Sequence, residues 1–314
     1  IDVGAYATLS SVVLSRGTIH AAGPYSCDNV RISAKALATN TTPHGAFRGF
    51  GAPQSLFALE RHMNKAAKVV GLTHEEFRKR NFLKDGLTTA TGQLVKDRVD
   101  MSELLERALK ETDYQKKIKS FAEQNKNSSV IKKGIGFASF FHGCGFTGSG
   151  EKYLASKVGV RSTDQGHVQV LAASTEIGQG TNTIFSQIAS DALGVSHNAI
   201  EVFQPDTLHV PNSGPTVASR TCMVVGKLVE SAAVGLKQTL QKESYLKDSY
   251  TEAEFIAALK KRHQDMGELK VIVEYQAPPN INWDDVKYQG DAYGSYAWAV
   301  YVAEVSVDTL TYET

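Results

Sequence analysis

The sequence predicts a mixed α+β fold, with helices packed on mixed sheets, from three observations. Apolar residues recur at helical spacing in some segments. In others they alternate or run continuously between glycines, and these strand patterns dominate after about residue 133. No fixed-period repeat is present, so layered helices and sheets are the expected architecture.

The first helix is expected over 52–71, with Pro53 in its first turn, Leu56, Leu59, Met63, Ala66 and Val70 on one face, and Gly71 as the stop. A second is expected over 73–83, with Thr73 as cap and Glu76 completing a capping box. A third covers 101–111, capped by Asp100. Residues 114–133 turn polar and lysine-rich through Gln124, Asn125, Lys126, Asn127 and Ser128, and are expected to connect two domains, 1–125 and 126–314. Strands are expected at 135–141, 152–161, 167–172, 200–203, 270–275 and 296–307. Between them, Ile184, Phe185, Ile188, Ala189, Ala192 and Leu193 mark a helix ending at Gly194, and further helices are expected over 217–241 and 251–262.

The chain has 314 residues, 42% hydrophobic and 21% charged, enough for one large core or two ordinary domains. Its formal net charge of +1 is scattered, which argues against nucleic acid and anionic membranes as partners. The apolar runs at 134–141 and 295–307 fall short of the roughly 20 residues a membrane-spanning helix needs. Cys27, Cys144 and Cys222 form no C-x-x-C pair, so neither a disulfide framework nor a zinc site is expected, and a cytosolic, reducing setting fits. An iron–sulfur cluster usually needs four thiolates, more than this chain supplies. Ile1 opens the chain without a targeting pattern and Thr314 closes it straight after a strand, so an internal piece is expected.

Three glycine-rich loops are expected to lead directly into helices: residues 45–51, 178–181 and 212–216. Backbone N–H groups at the positive end of a helix dipole make an anion site, and three such starts suggest an extended polyanionic ligand. Each loop also reads as a simple capped turn. Residues 143–148 match G-x-G-x-x-G, but the following 149–161 alternate as a strand and open no helix, so a dinucleotide site is not expected.

The motifs Ala46-Phe47-Arg48-Gly49-Phe50-Gly51-Ala52-Pro53-Gln54, Thr175-Glu176-Ile177-Gly178-Gln179-Gly180 and Pro211-Asn212-Ser213-Gly214-Pro215-Thr216-Val217-Ala218-Ser219 occur in this order. In order and spacing they resemble the xanthine dehydrogenase and aldehyde oxidase family, along nearly the whole chain. The resemblance implies the molybdopterin-binding fold of the large subunit, as an internal fragment that looks closest to bacterial members. It implies a molybdenum ion held by a pterin dithiolene, with no direct protein ligand to the metal. That cofactor hydroxylates an electron-poor carbon with water as oxygen source. Electrons leave through Fe–S clusters to FAD on partner domains or chains.

Carried over by position, the resemblance places Ala46, Phe47 and Arg48 beside the cofactor, Gly178, Gln179 and Gly180 in a cofactor turn, and Val217, Ala218 and Ser219 at the cofactor, with Ala218 close to the metal. Arg220 would either contact the extra phosphate of a cytosine dinucleotide form or make a structural ion pair. Phe50 and Phe146 would sandwich a planar substrate, Thr147 would hydrogen-bond it, and Arg16 matches the arginine of purine-specific members. Without the resemblance, Phe50 and Phe146 read as core aromatics, Arg16 as a surface ion pair, His142 as a loop histidine and Cys222 as a buried helix residue. The family's general base, a glutamate, would lie beyond Thr314, so no catalytic residue is expected in this chain and the isolated piece is expected to be inactive. Glu176 lies in a cofactor turn and is not that base.

The expected function is oxidative hydroxylation of a planar N-heterocycle such as xanthine or hypoxanthine. An aldehyde or nicotinate hydroxylase, or a non-catalytic cofactor-binding or assembly module, are the alternatives. The expected partners are the rest of the molybdenum subunit and the Fe–S and FAD subunits.

Overall fold

The computed structural model describes residues 1–96, 98–128 and 130–314. Among them the chain forms, in order, β1 (Asp2–Gly4), α1 (Ser10–Ile19), β2 (Leu37–Ala38), α2 (Ala52–Val69), α3 (His74–Asn81), α4 (Met101–Glu111), α5 (Tyr114–Asn127) and β3 (Ile131–Gly143). Then come α6 (Gly150–Leu154), β4 (Lys157–Ser162), β5 (Val168–Leu171), α7 (Thr181–Leu193), β6 (Ile200–Val202), α8 (Gly226–Lys242), α9 (Glu252–Met266) and β7 (Lys270–Glu274). The last elements are β8 (Trp283–Asp284), β9 (Gln289–Gly290) and β10 (Tyr296–Asp308). The mixed α+β expectation holds. Two compact units result: Ile1–Gly143 with Asn282–Thr314, and Cys144–Ile281.

In the first unit β3 and β10 form a long antiparallel ribbon, with Gly143 opposite Tyr296 and Ile131 opposite Asp308. Alternation puts Ile135 and Phe137 of β3, with Trp298, Val300 and Val302 of β10, on the face packed against Met101, Leu105, Leu109 and Tyr114. Each fully buried apolar side chain of this kind stabilises by roughly 1.5–3 kcal/mol. Asp100 caps α4 by accepting from the N–H groups of Ser102 and Glu103. Thr73 caps α3 by accepting from Glu76 N–H, but the expected box is only half made, because the Glu76 carboxylate accepts from Arg80.

In the second unit a four-stranded sheet runs β6-β5-β4-β7, with β5 and β6 parallel and the other pairs antiparallel. Val158, Val160, Val168 and Val170 bury one sheet face against Phe185, Ala189 and Leu193 of α7 and Val229, Ala233 and Leu236 of α8. Gly226 allows close packing here, since a Cβ on it would lie 2.8 Å from Ile188 Cδ1.

Four expectations change. The polar stretch after Tyr114 folds as α5 and the start of β3, both inside the first unit. Asn125 exchanges two hydrogen bonds with the Lys133 backbone and Lys132 Nζ donates to the carbonyls of Asn125 and Ser128, so the residues that read as linker close a helix end. Residues 150–154 are the short helix α6, not strand, stopped by Ala155 at φ 45°. The G-x-G-x-x-G loop therefore does meet a helix turn, but the strand before it pairs antiparallel with β10 and builds no βαβ unit. The long helix begins later than expected: Ala218 sits at φ 51°, residues Thr221–Val225 are wound as a π-turn, and α8 starts at Gly226. Cys222 in that π-turn is exposed, not buried.

Candidate functional site

In the first unit, Arg16 lies near the end of α1 and is 3% exposed, not a surface residue. Its Nη2 is 3.4 Å from His142 Nε2, and its Cζ lies 5.3 Å from the centre of the Tyr293 ring. His20, fully buried one turn on, has Nδ1 2.7 Å from the Arg16 carbonyl while its Nε2 accepts from Gly143 N–H at 3.1 Å. Burial pushes the His20 pKa down to about 3, against the opposing pull of its bond to Arg16. Burial and the neighbouring Arg16 also lower the pKa of His142.

Loop 45–51 runs against the same helix. Gly49, Phe50 and Gly51 all have positive φ, 94°, 51° and 101°, a run that costs strain at Phe50. A Cβ on Gly51 would lie 2.1 Å from the Val13 carbonyl oxygen, so this turn needs glycine to rest on α1. Pro53 follows in the first turn of α2. The turn leaves Phe47 80% exposed and Arg48 exposed, with Phe50 half-buried. Beside it a groove of about 720 Å³ is lined by Arg48, Phe57, Phe140, His142 and Tyr301 among others.

In the second unit three segments are tied at one place. Ser219 Oγ accepts from Gly145 N–H at 2.7 Å, joining the loop of Phe146 and Thr147 to the third motif. Thr216 Oγ1 accepts from Thr175 N–H and Ser213 Oγ from Ala173 N–H, both at 2.9 Å, joining the third motif to the second. Phe146 is half-buried over Gly150 and within 6.0 Å of Arg220 Cζ, so it is neither a core aromatic nor free of packing. Val217 is half-buried, and Ala218 and Ser219 are exposed.

Arg220 is 0% exposed and pairs with Glu151, while donating to Ser156 Oγ, the Ser213 carbonyl and the Pro215 carbonyl at 2.7, 2.9 and 2.6 Å. Of the two roles expected for Arg220, the structural ion pair is the one this side chain makes. Its side chain fixes the third loop from beneath.

The second motif also differs from a bare anion site. The Glu176 carboxylate accepts from the N–H groups of Gly178, Gly180 and Asn182 at 2.7, 3.1 and 3.0 Å, and these bonds hold its pKa below the usual carboxylate value. Gln179 is folded into the turn as well, accepting from Ile177 N–H and donating to Thr175 O and Thr181 Oγ1. Gly178 and Gly180 have positive φ and nothing within 4 Å of a Cβ position, so the turn is open in space though its N–H groups are used. Sequence reasoning missed His20 and Glu151. His20 was signalled by its place four residues after Arg16, on the same helix face; Glu151 carried no local signal.

Glycine turns thus precede α2 and α7, and the first of them carries the exposed Phe47 and Arg48. A model for the molybdopterin cofactor-binding domain matches residues 107–314, and a second model of the same description matches residues 1–82. The chain is 29% identical over 310 residues to xanthine dehydrogenase/oxidase of Gallus gallus, covering 98% of this chain and 22% of that protein. It is 30% identical over 319 residues to aldehyde oxidoreductase of Megalodesulfovibrio gigas, covering 100% of this chain and 33% of that protein. The crystal structure of the aldehyde oxidoreductase from Desulfovibrio desulfuricans ATCC 27774 superposes with a TM-score of 0.81 at 27% identity, covering 99% of this chain and 32% of that one. The chain belongs to the molybdopterin cofactor-binding domain family, of the xanthine dehydrogenase and aldehyde oxidoreductase type. It spans about a fifth to a third of the relatives' lengths.

Proposed function

We propose that this chain forms part of the cofactor- and substrate-binding subunit of a molybdenum hydroxylase acting on a planar N-heterocycle, with an oxo-purine favoured. The observation that carries the reading is Arg16: a guanidinium withdrawn from bulk water and held by His142 and Tyr293 is built to recognise an electronegative group, not to solubilise a surface. A carboxylate substrate of the nicotinate type would use the same residue. The likeness to aldehyde oxidoreductase keeps an aldehyde as the second reading.

The cofactor fits the residues in part. The exposed Phe47 and Arg48 offer a flat ring and a cation, and the space over Gly178 and Gly180 admits close approach, whereas the N–H groups of that turn already serve Glu176. Ala46, Phe47, Arg48, Gly178, Gln179, Gly180, Val217, Ala218 and Ser219 would hold it, in a simple or cytosine dinucleotide form. When bound, it supplies the two-electron oxidation that delivers a water-derived hydroxyl to substrate. Phe50, Phe146 and Thr147 orient the ring, Arg16 its polar edge. The matched ranges 1–82 and 107–314 support reading the chain as the end of one molybdopterin-binding domain and the start of the next. Fe–S and FAD partners, and a cytosolic setting, complete the proposal.

The test uses the full-length protein with its partner chains. Molybdenum and pterin are quantified alongside hydroxylation of xanthine, hypoxanthine, nicotinate and benzaldehyde. Metal with heterocycle turnover supports the reading; turnover of benzaldehyde alone moves it to the aldehyde class, and absence of metal and pterin in the assembled complex leaves a non-catalytic module.

A further inference from the structure

We propose that His142 is the positioning residue for the Arg16 guanidinium, and through it a determinant of which substrates the site accepts. This rests on the reading of Arg16 given above.

A guanidinium carries only donors, so the 3.4 Å approach of Arg16 Nη2 to His142 Nε2 is a hydrogen bond when that nitrogen is unprotonated. His142 therefore carries its proton on Nδ1 or none of this contact exists. Its ring stacks on that of His20, 5.1 Å away and 23° from parallel. The orientation of His20 is fixed in turn at both nitrogens: Nδ1–H donates to the Arg16 carbonyl and Nε2 accepts from Gly143 N–H. Thus His20 holds the backbone of Arg16 and His142 holds its head group, with the Tyr293 ring beneath. The stacked pair joins helix α1 to the end of strand β3. A neutral acceptor steers the guanidinium without cancelling its charge through that contact, where a carboxylate in its place would neutralise it. His142 also lines the groove beside Arg48.

The experiment compares Arg16→Ala, His142→Leu and His142→Gln in the full-length enzyme, with xanthine and benzaldehyde as probes. His142→Leu is expected to lower the ratio of kcat/KM for xanthine over benzaldehyde about tenfold, chiefly by raising KM for xanthine. His142→Gln, which restores an acceptor, is expected to return the ratio to within about threefold of the parent. Should the Leu variant not fold, His142→Asn, whose shorter side chain withdraws the acceptor, takes its place with the same expectation. Equal loss on both substrates with no recovery in His142→Gln overturns the positioning role. If Arg16→Ala changes the ratio and His142→Leu does not, this inference falls while the reading of Arg16 stands. If Arg16→Ala leaves the ratio unchanged, both fall together.

Discussion

Arg220 and Glu151 pair inside the second unit with side chains 0% and 7% exposed, 69 residues apart in sequence. Two further acceptors from the third loop and the Ser156 hydroxyl complete the arginine's surroundings. Removing one partner strands the other's charge in the interior. Arg220→Met is therefore expected to destabilise by about 3–5 kcal/mol, and Glu151→Leu combined with Arg220→Met by distinctly less. Thermal unfolding of the two variants checks this; equal losses would place the effect in packing, not charge.

Gly51 and Gly178 have nearly the same φ, 101° and 99°, but opposite surroundings. An alanine at 51 meets the Val13 carbonyl, whereas one at 178 meets nothing within 4 Å. Gly178→Ala is expected to cost about 1–2 kcal/mol of backbone strain and leave the fold intact. Gly51→Ala adds a steric clash and is expected to lower the melting temperature clearly further. Melting curves of the pair, measured side by side, separate strain from collision.

The buried ring of His20 makes stability depend on pH. The unfolded chain binds a proton there near pH 6.5, the folded protein only near 3, so between these values the unfolded state holds more protons. Stability then rises with pH through this window, and falls by about 1.4 kcal/mol per unit as pH drops below 6.5. His142 contributes in the same direction, so the comparison is with His20→Gln. The parent is expected to lose melting temperature more steeply from pH 7 to 5 than the variant; identical slopes would contradict the assignment.

What the sequence made legible was local. Asp100 before α4, Gly194 after α7 and the apolar face of α2 announce themselves within a few residues, because capping and periodicity are short-range physics. The three motif loops were legible for the same reason. Hidden were features decided by distant partners. The alternation of 149–161 concealed α6, because Glu151 turns inward to meet Arg220. The helical pattern after Val217 concealed the break at Ala218, where Arg220 is drawn down to Pro215 and Ser213. The glycines around Gln179 announced an anion site but not that Glu176 fills it, since a carboxylate two residues upstream reads equally as solvated.

The β3 and β10 ribbon encloses the whole second unit in the chain between its two strands. A ribosome therefore delivers every residue of that inner unit before the outer unit receives its last strand. Until then Ile135 and Phe137 lack their cross-strand neighbours Trp298, Val300 and Val302, and the first unit waits half-built. Within this stretch of chain, the second strand of the ribbon is made only after the intervening unit, so the apolar face of β3 waits uncovered and exposed to aggregation during synthesis.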